Sequence, residues 1–256
     1  MEKAINSPRC EWFRDWFDEN YEIVYRHRTE AEAEDFVSHW PIDWNALTGK
    51  RALDIGCGNG RFSRAISGRG MKPTGIDLSV EQLRLAATNS SGGDVTRYIR
   101  ADMRQLPLKP CFSLVVNLFT SFGYFDHDEN HSDALGAITR LLLPGGIIII
   151  DLPCREHAIR EVAQRALTTR TVGGVEIEEK RSLVERNARF EKEIRLSKEG
   201  VVSYYRESVR LFSAEELLGM TTAASLRQIE PLWGDYAGGT MSDSKPRMVY
   251  FGKKNG

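Results

Sequence analysis

The sequence predicts an α/β fold: a parallel sheet with helices on both faces, interrupted late in the chain by an antiparallel β meander. Three observations predict it. Strand and helix signals alternate from Arg51 to about Ala163, and such alternation needs crossover connections that lay helices on both faces of the sheet. An apolar strand with Ala52, Leu53 and Ile55 runs into Gly56, Gly58 and Gly60 and then into a helix near Arg61. From Ala166 to Phe212 the alternation gives way to extended stretches of period-two polarity, separated by Gly173-Gly174 and by Lys198-Glu199-Gly200, the pattern of antiparallel hairpins.

Residues 1–48 read as an N-terminal helical lid. Trp12, Phe13, Trp16, Phe17, Tyr21, Tyr25, Phe36 and Trp40 recur at helical spacing, which gives one face to pack onto the core or close over it. The core occupies 49–165 and 213–256, with strands expected at 51–55, 72–77, 95–100, 112–118 and 146–151. Helices are expected near 61–69, 79–89, 130–142 and 154–165. Ser79, followed by Glu81 and Gln82, supplies an N-terminal cap, and Pro144-Gly145-Gly146 stops the helix that Leu141 to Leu143 completes. Ile147 to Asp151 reads as a strand buried on both faces. Residues 166–212 form the β insertion. Ser213 with Glu215 and Glu216 then opens a helix, and 226–234 and 246–254 make a final antiparallel pair.

Bulk properties fit an enzyme with one sizeable core. The chain has 256 residues, 41% hydrophobic and 28% charged, enough for one core with an elaboration. A formal net charge of -1 gives no global basic field, so no nucleic-acid partner is expected. Cys10, Cys57, Cys111 and Cys154 are scattered without metal-ligand spacing; a reduced, cytoplasmic protein with no metal is expected. The apolar run at Ile147 to Ile150 is too short to span a bilayer, so no membrane partner is expected.

The glycine turn points to a nucleoside ligand. Backbone without Cβ atoms lets a ligand lie against the turn, where the helix N-terminus presents free N–H groups. Asp77 ends the second strand, where a carboxylate can accept both ribose hydroxyls. A dinucleotide fingerprint wants GxGxxG, but here the third glycine comes one residue early and Asp54 precedes the first. In ADMRQLP, Asp102 ends the third strand; its carboxylate can accept an adenine amino group while the Met103 N–H meets a ring nitrogen.

DIGCGNG, at Asp54 to Gly60, resembles motif I of the class I S-adenosylmethionine-dependent methyltransferases. An acidic residue before the glycines suits a cationic methionine end better than a diphosphate. The resemblance continues through SFGYF (Ser121 to Phe125), DALGAITRLLLPGGIIIIDLP, YRESVRLFSAEELLGM and SKPRMVYFGKK. It implies a Rossmann-like, seven-stranded sheet of order 3-2-1-4-5-7-6 and S-adenosylmethionine as cofactor. The cofactor residues it implies are Asp54, Gly56, Cys57 and Gly58 in the turn, Asp77 and Leu78 after strand two, and Asp102 and Met103 after strand three. Asn117 and Phe119 follow at the end of strand four. YEIVYRHR resembles the family's N-terminal lid, which adds Tyr21, Tyr25 and Arg28 at the methionine end. The insertion is then expected to cover the acceptor pocket or form a dimer interface, with Tyr204, Tyr205 and Arg206 as pocket contacts.

Methyl transfer from a sulfonium is an in-line displacement, so positioning dominates. Tyr124 is the expected orienting hydroxyl and His127 the expected base, with His131 the alternative; an amine acceptor needs only to be neutral, whereas a hydroxyl needs a base. The expected substrate is a small molecule methylated at nitrogen or oxygen by a monomer or homodimer. NLFT stands where nucleobase amino-methyltransferases carry an [ND]PP[YF] run. Cys154, at a helix start after the fifth strand, reads as packing rather than as a nucleophile. Competing readings are a methyltransferase of RNA or protein, a protein that binds S-adenosylmethionine without turnover, and an NAD-linked oxidoreductase.

Overall fold

The structure, a computed structural model, describes residues 2–4, 9–90, 96–185 and 188–256. The elements run β1 (Glu2–Ala4), a 3-10 turn (Arg9–Arg14), α1 (Glu19–Val24), α2 (Glu30–Ser38), α3 (Trp44–Leu47), β2 (Arg51–Ile55), α4 (Arg61–Gly68) and β3 (Lys72–Asp77). Next come α5 (Val80–Asn89), β4 (Arg97–Arg100), β5 (Phe112–Asn117), α6 (Asp128–Leu141), β6 (Leu142–Pro153) and α7 (Arg155–Gln164). The insertion supplies β7 (Leu167–Val172), β8 (Val175–Val184), β9 (Arg189–Lys198) and β10 (Val201–Arg210). The chain closes with α8 (Ala214–Ala223), β11 (Leu226–Gln228) and β12 (Arg247–Lys254).

The main sheet has seven strands in the order β4-β3-β2-β5-β6-β12-β11. Counted along the core, that is the expected 3-2-1-4-5-7-6, with β12 antiparallel to β6 and the first five strands parallel. Buried apolar residues lie in two clusters. One joins Leu53, Ile55 and Val115 to Trp12, Trp16 and the insertion; the other joins Ala52, Leu114 and Val116 to Phe36, Trp40 and Phe62. Alternate residues of β2 and β5 thus feed opposite layers, as a strand buried on both faces requires.

Capping explains why several helices start where they do. Ser79 Oγ accepts from Gln82 N at 3.2 Å, and Ser213 and Glu216 form a reciprocal capping box. Two boundaries differ from expectation. Pro144-Gly145-Gly146 does not separate helix from strand: β6 already pairs at Leu142 with Phe112, and its register shifts before Ile147 meets Leu114, so these residues form an irregularity within the strand. The strand expected over 226–234 pairs regularly only through Gln228, although Trp233 keeps an isolated bridge to Val249; Pro231 has no N–H with which to continue the ladder. The start of the strand expected at 95–100 falls on residue 95, outside the described residues.

The insertion is an antiparallel meander of β7 to β10, extended by β1, which runs parallel to β10. Val175, Ile177, Ile194, Leu196, Tyr205 and Val209 are buried in the cluster that holds Trp12, Phe13 and Trp16. Opposite charges face each other across strands at Glu178 and Arg195 and at Lys180 and Glu193. The latter pair is well exposed on both sides and adds little stability. Apolar residues of the sheet therefore join the N-terminal segment over the carboxyl ends of the core strands.

Candidate active site

The glycine turn is shaped by its strand neighbours. Gly56 N and Cys57 N both donate to Ile76 O, at 2.8 and 3.0 Å, which ties the turn to the end of β3. Gly56 has a φ of 70°, and a Cβ there would sit 2.6 Å from Ser121 Cβ. Gly58 differs: a Cβ would meet nothing nearer than Gln82 Oε1 at 3.6 Å. Its φ of 53° is one reason for glycine; the other is that it faces a cavity.

That cavity lies at the carboxyl ends of β2, β3 and β4, where an open α/β sheet binds its ligands. Asp54, Gly56, Cys57, Gly58, Asp77 and Leu78 line it, as do Asp102 and Met103. Asp77 bridges two turns, accepting from Gly58 N and Ser79 N at 2.8 Å each. Burial raises its pKa above the ordinary range, and these N–H donors oppose the shift. Asp54, 2% exposed, accepts from Ser63 Oγ at 2.6 Å. Burial, reinforced by Asp77, pushes its carboxyl up from 3.8 to about 6 against the Ser63 hydrogen bond and the Arg61 charge. Asp102 takes a bidentate grip from Arg104, with Nη2 at 2.6 Å; burial works against ionisation there, but Arg104 holds the pKa below its usual value. A carboxylate so held keeps lone pairs for one further donor.

The N-terminal segment closes the other side. Phe13, Phe17, Tyr21, Tyr25 and Arg28 line the same cavity, with Phe119 and Tyr124 from the loop after β5. Arg28 donates to the Tyr21 hydroxyl and lies over the rings of Tyr25 and Phe119, 3.8 and 4.1 Å from their centroids. Its Nε is buried without a hydrogen-bond partner, and so is Gln82 Nε2. Both residues line the cavity, and buried unpaired donors are costly enough to point to a polar ligand. A concave site with three carboxylates at strand ends, a glycine whose side is open and two waiting donors fits a nucleoside that carries an amino-acid end.

A second cavity adjoins the first, and Phe17, Tyr21, Tyr25, Arg28, Phe119 and Tyr124 line both. Its remaining walls come from far apart in the chain: Trp12, Thr120, Pro153, Glu161 of α7, Arg181 and Phe190 of the insertion, Glu207, and Arg247 of β12. Glu207 accepts from Tyr25 Oη at 2.5 Å, from Trp16 Nε1 at 2.7 Å, and pairs with Lys192 Nζ at 2.8 Å. Tyr124 is edge-on to Trp12 at 4.7 Å and stacks on Phe13 at 5.9 Å. Burial pushes the hydroxyl pKa of Tyr124 well above the ordinary value, so it is neutral, a donor rather than a base.

Several expected residues lie outside both cavities. Asn117 is buried and donates from Nδ2 to Ile55 O at 3.0 Å, tying β5 to β2 just beyond their paired residues. His127 is exposed at the N-cap of α6, because the acidic stretch around it turns to solvent while the aromatic residues before it turn inward. His131 is buried among Phe122, Phe125 and Phe212, and desolvation lowers its pKa to about 4. Of the insertion residues expected as contacts, Tyr204 is exposed, Tyr205 packs on Trp16 and bonds Asp18, and Arg206 pairs with Glu191. Glu207 and Val209, on the same strand, reach the cavity instead. Cys154 is buried and burial raises its thiol pKa, the state of a packing residue. Among the described residues no cluster of three or more His, Cys, Asp or Glu could hold a metal, and no helix is long and apolar enough to cross a membrane.

Sequence and structure comparisons agree with this geometry. Residues 53–150 match the family described as "Methyltransferase domain". A ubiquinone biosynthesis O-methyltransferase of Psychrobacter arcticus is 28% identical over 141 residues, which cover 53% of this chain and 49% of that relative. The chain thus spans about half the length of the curated relatives it matches. Among solved structures, an S-adenosylmethionine-dependent methyltransferase from Clostridium acetobutylicum superposes with a TM-score of 0.78 over 92% of this chain and 96% of the other, at 17% identity. The CcbJ methyltransferase of Streptomyces caelestis gives 0.76 over 98% and 100%, again at 17% identity. At such identity the likeness shows the fold. Residues 53–150 thus match a methyltransferase domain, and the chain shares its fold with S-adenosylmethionine-dependent methyltransferases of known structure.

Proposed function

We propose that the protein transfers a methyl group from S-adenosylmethionine to a nitrogen or oxygen of a small-molecule acceptor. The observation that carries this reading is the pair of cavities joined by one largely aromatic wall. The first holds the cofactor and the second the acceptor. That adjoining space also argues against a protein that binds the cofactor without turnover, which needs no room beside the methyl group.

Bound there, the cofactor supplies a methyl carbon activated by its sulfonium. Asp77 accepts the ribose hydroxyls and Asp102 the adenine amino group. Arg28, with its Nε unpartnered, takes the carboxylate of the methionine end, and Asp54 its ammonium. The faces of Tyr21, Tyr25, Phe119 and Tyr124 favour a positive centre. The remaining task is to hold the acceptor atom about 3 to 3.5 Å from the methyl carbon and in line with the leaving sulfur. Tyr124 donates to the acceptor and orients it. His127 has no part in this, being outside both cavities. Of the finer readings, a cytoplasmic location rests on the scattered cysteines of the sequence, and the choice of monomer or homodimer on whether the inserted β meander forms an interface.

Incubation with methyl-labelled S-adenosylmethionine and a panel of small amines and phenols tests the proposal. Label in a small product, formed roughly threefold more slowly with Tyr124→Phe, supports it. Label found only in added RNA or protein overturns the acceptor class.

A further inference from the structure

Phe119 and Thr120 are consecutive non-glycine residues in the left-handed region, with φ of 59° and 67°. For an aromatic and a β-branched side chain this conformation is strained, and two in succession persist only where surrounding contacts impose them. The contacts come from Asp151, at 0% exposure near the end of β6. Its carboxylate accepts from Phe119 N at 2.9 Å, and its backbone oxygen accepts from Thr120 N at 3.1 Å. Tyr236 Oη donates to the same carboxylate at 2.8 Å, and Arg247 pairs with it at 2.7 Å while donating to Thr120 Oγ1 at 3.1 Å. Asp151 itself lines neither cavity.

The strained turn lies where the two cavities meet. Phe119 lines both, with Arg28 and Arg61 over its ring at 4.1 and 4.4 Å; Thr120 and Arg247 line the second. A relaxed turn would redirect the Phe119 ring and with it the aromatic wall at the methionine end. We infer that Asp151 is a positioning residue of the methyl-transfer site: it holds the Phe119–Thr120 turn left-handed and so fixes the wall shared by cofactor and acceptor. Tyr236 and Arg247 serve it, holding the carboxylate aimed at the turn. This inference rests on the cofactor's occupying the first cavity.

The test is calorimetric titration with S-adenosylmethionine of the wild type, Asp151→Asn, and Asp151→Asn combined with Thr120→Gly. The strain at stake predicts that Asp151→Asn binds roughly tenfold more weakly. Glycine adopts positive φ without cost, so the double variant recovers at least about threefold of that loss. A merely structural loss would lower the melting temperature with no such rescue. A folded Asp151→Asn that binds like the wild type, or a loss that Thr120→Gly leaves untouched, overturns the inference. Should Asp151→Asn not fold, Tyr236→Phe keeps the ion pair and removes one donor; roughly threefold weaker binding is then expected, and unchanged binding overturns it. Failure of the wild type itself to bind would count against the proposed function rather than against the role of Asp151.

Discussion

The two cavities, proposed above for cofactor and acceptor, share one wall, yet they are built from different kinds of chain. The polar groups of the first come mainly from three successive strands, with Asp54, Asp77 and Asp102 at or just beyond the carboxyl ends of β2, β3 and β4. The second draws Trp12, Glu161, Phe190, Glu207 and Arg247 from an N-terminal segment, a helix, an inserted sheet and the final strand. A ligand that is always the same can be met by local backbone geometry. An acceptor that varies between enzymes is better met by side chains on elements that can be exchanged without disturbing the core.

Breaking the acceptor side should cost the most in stability, because its polar groups are cross-linked. Glu207→Ala removes the acceptor of Trp16 and Tyr25 and a carboxylate partner of Lys192, which is only 8% exposed at its side chain. We expect a loss of about 3 kcal/mol in denaturant unfolding; unchanged stability would show that Glu179, 3.6 Å from Lys192, suffices. On the cofactor side the cost should fall on binding instead. Asp77→Ala strands the ribose hydroxyls and frees Gly58 N and Ser79 N, and should weaken S-adenosylmethionine by about 1 to 3 kcal/mol, with the KM for the acceptor little changed. Equal damage to both would erase the distinction between the cavities.

A pH series sharpens the contrast further. Asp54 ionises near 6 in the free protein, and the cationic end of the cofactor favours the ionised form. Affinity should therefore fall as pH drops through 6, to about tenfold weaker at pH 5 than at pH 7, with proton release on binding. Asp54→Asn should flatten that dependence. Without ligand the sign reverses for folding: the unfolded carboxyl ionises near 3.8 and the folded one near 6, so this group lowers stability as pH rises between those values. The smallest effect is expected at the shared wall. Tyr124→Phe should lower kcat roughly threefold, the value of one neutral hydrogen bond, while cofactor affinity holds. The reverse result would assign Tyr124 to the cofactor.

The same contrast decides what the sequence could reveal. The strands ending at Ile55 and Asp77 and the turn between them are written in consecutive residues, as apolar runs, glycines and caps. The acids there could therefore be named from spacing. Asn117 and His127 show the limit: each stands at a plausible place along the chain, but side-chain direction is set by the third dimension. Asn117 turns to Ile55 O and His127 to solvent. Glu207 was hidden in a charged, period-two strand whose next-but-one residue Tyr205 looked the better contact, though Tyr205 packs on Trp16. Asp151 read as the end of a buried strand, and nothing local signals that it holds a strained turn 32 residues earlier in the chain. A carboxylate closing an otherwise apolar run, IIIID, was the one available hint.

The most direct measurement is calorimetric titration of the folded wild type and of Asp77→Ala with S-adenosylhomocysteine, which fills the cofactor cavity without reacting. Micromolar binding by the wild type, weakened at least about tenfold in the variant, is the predicted result. Absence of binding by the wild type, or equal binding by both proteins, would contradict the assignment of the glycine-lined cavity to the cofactor.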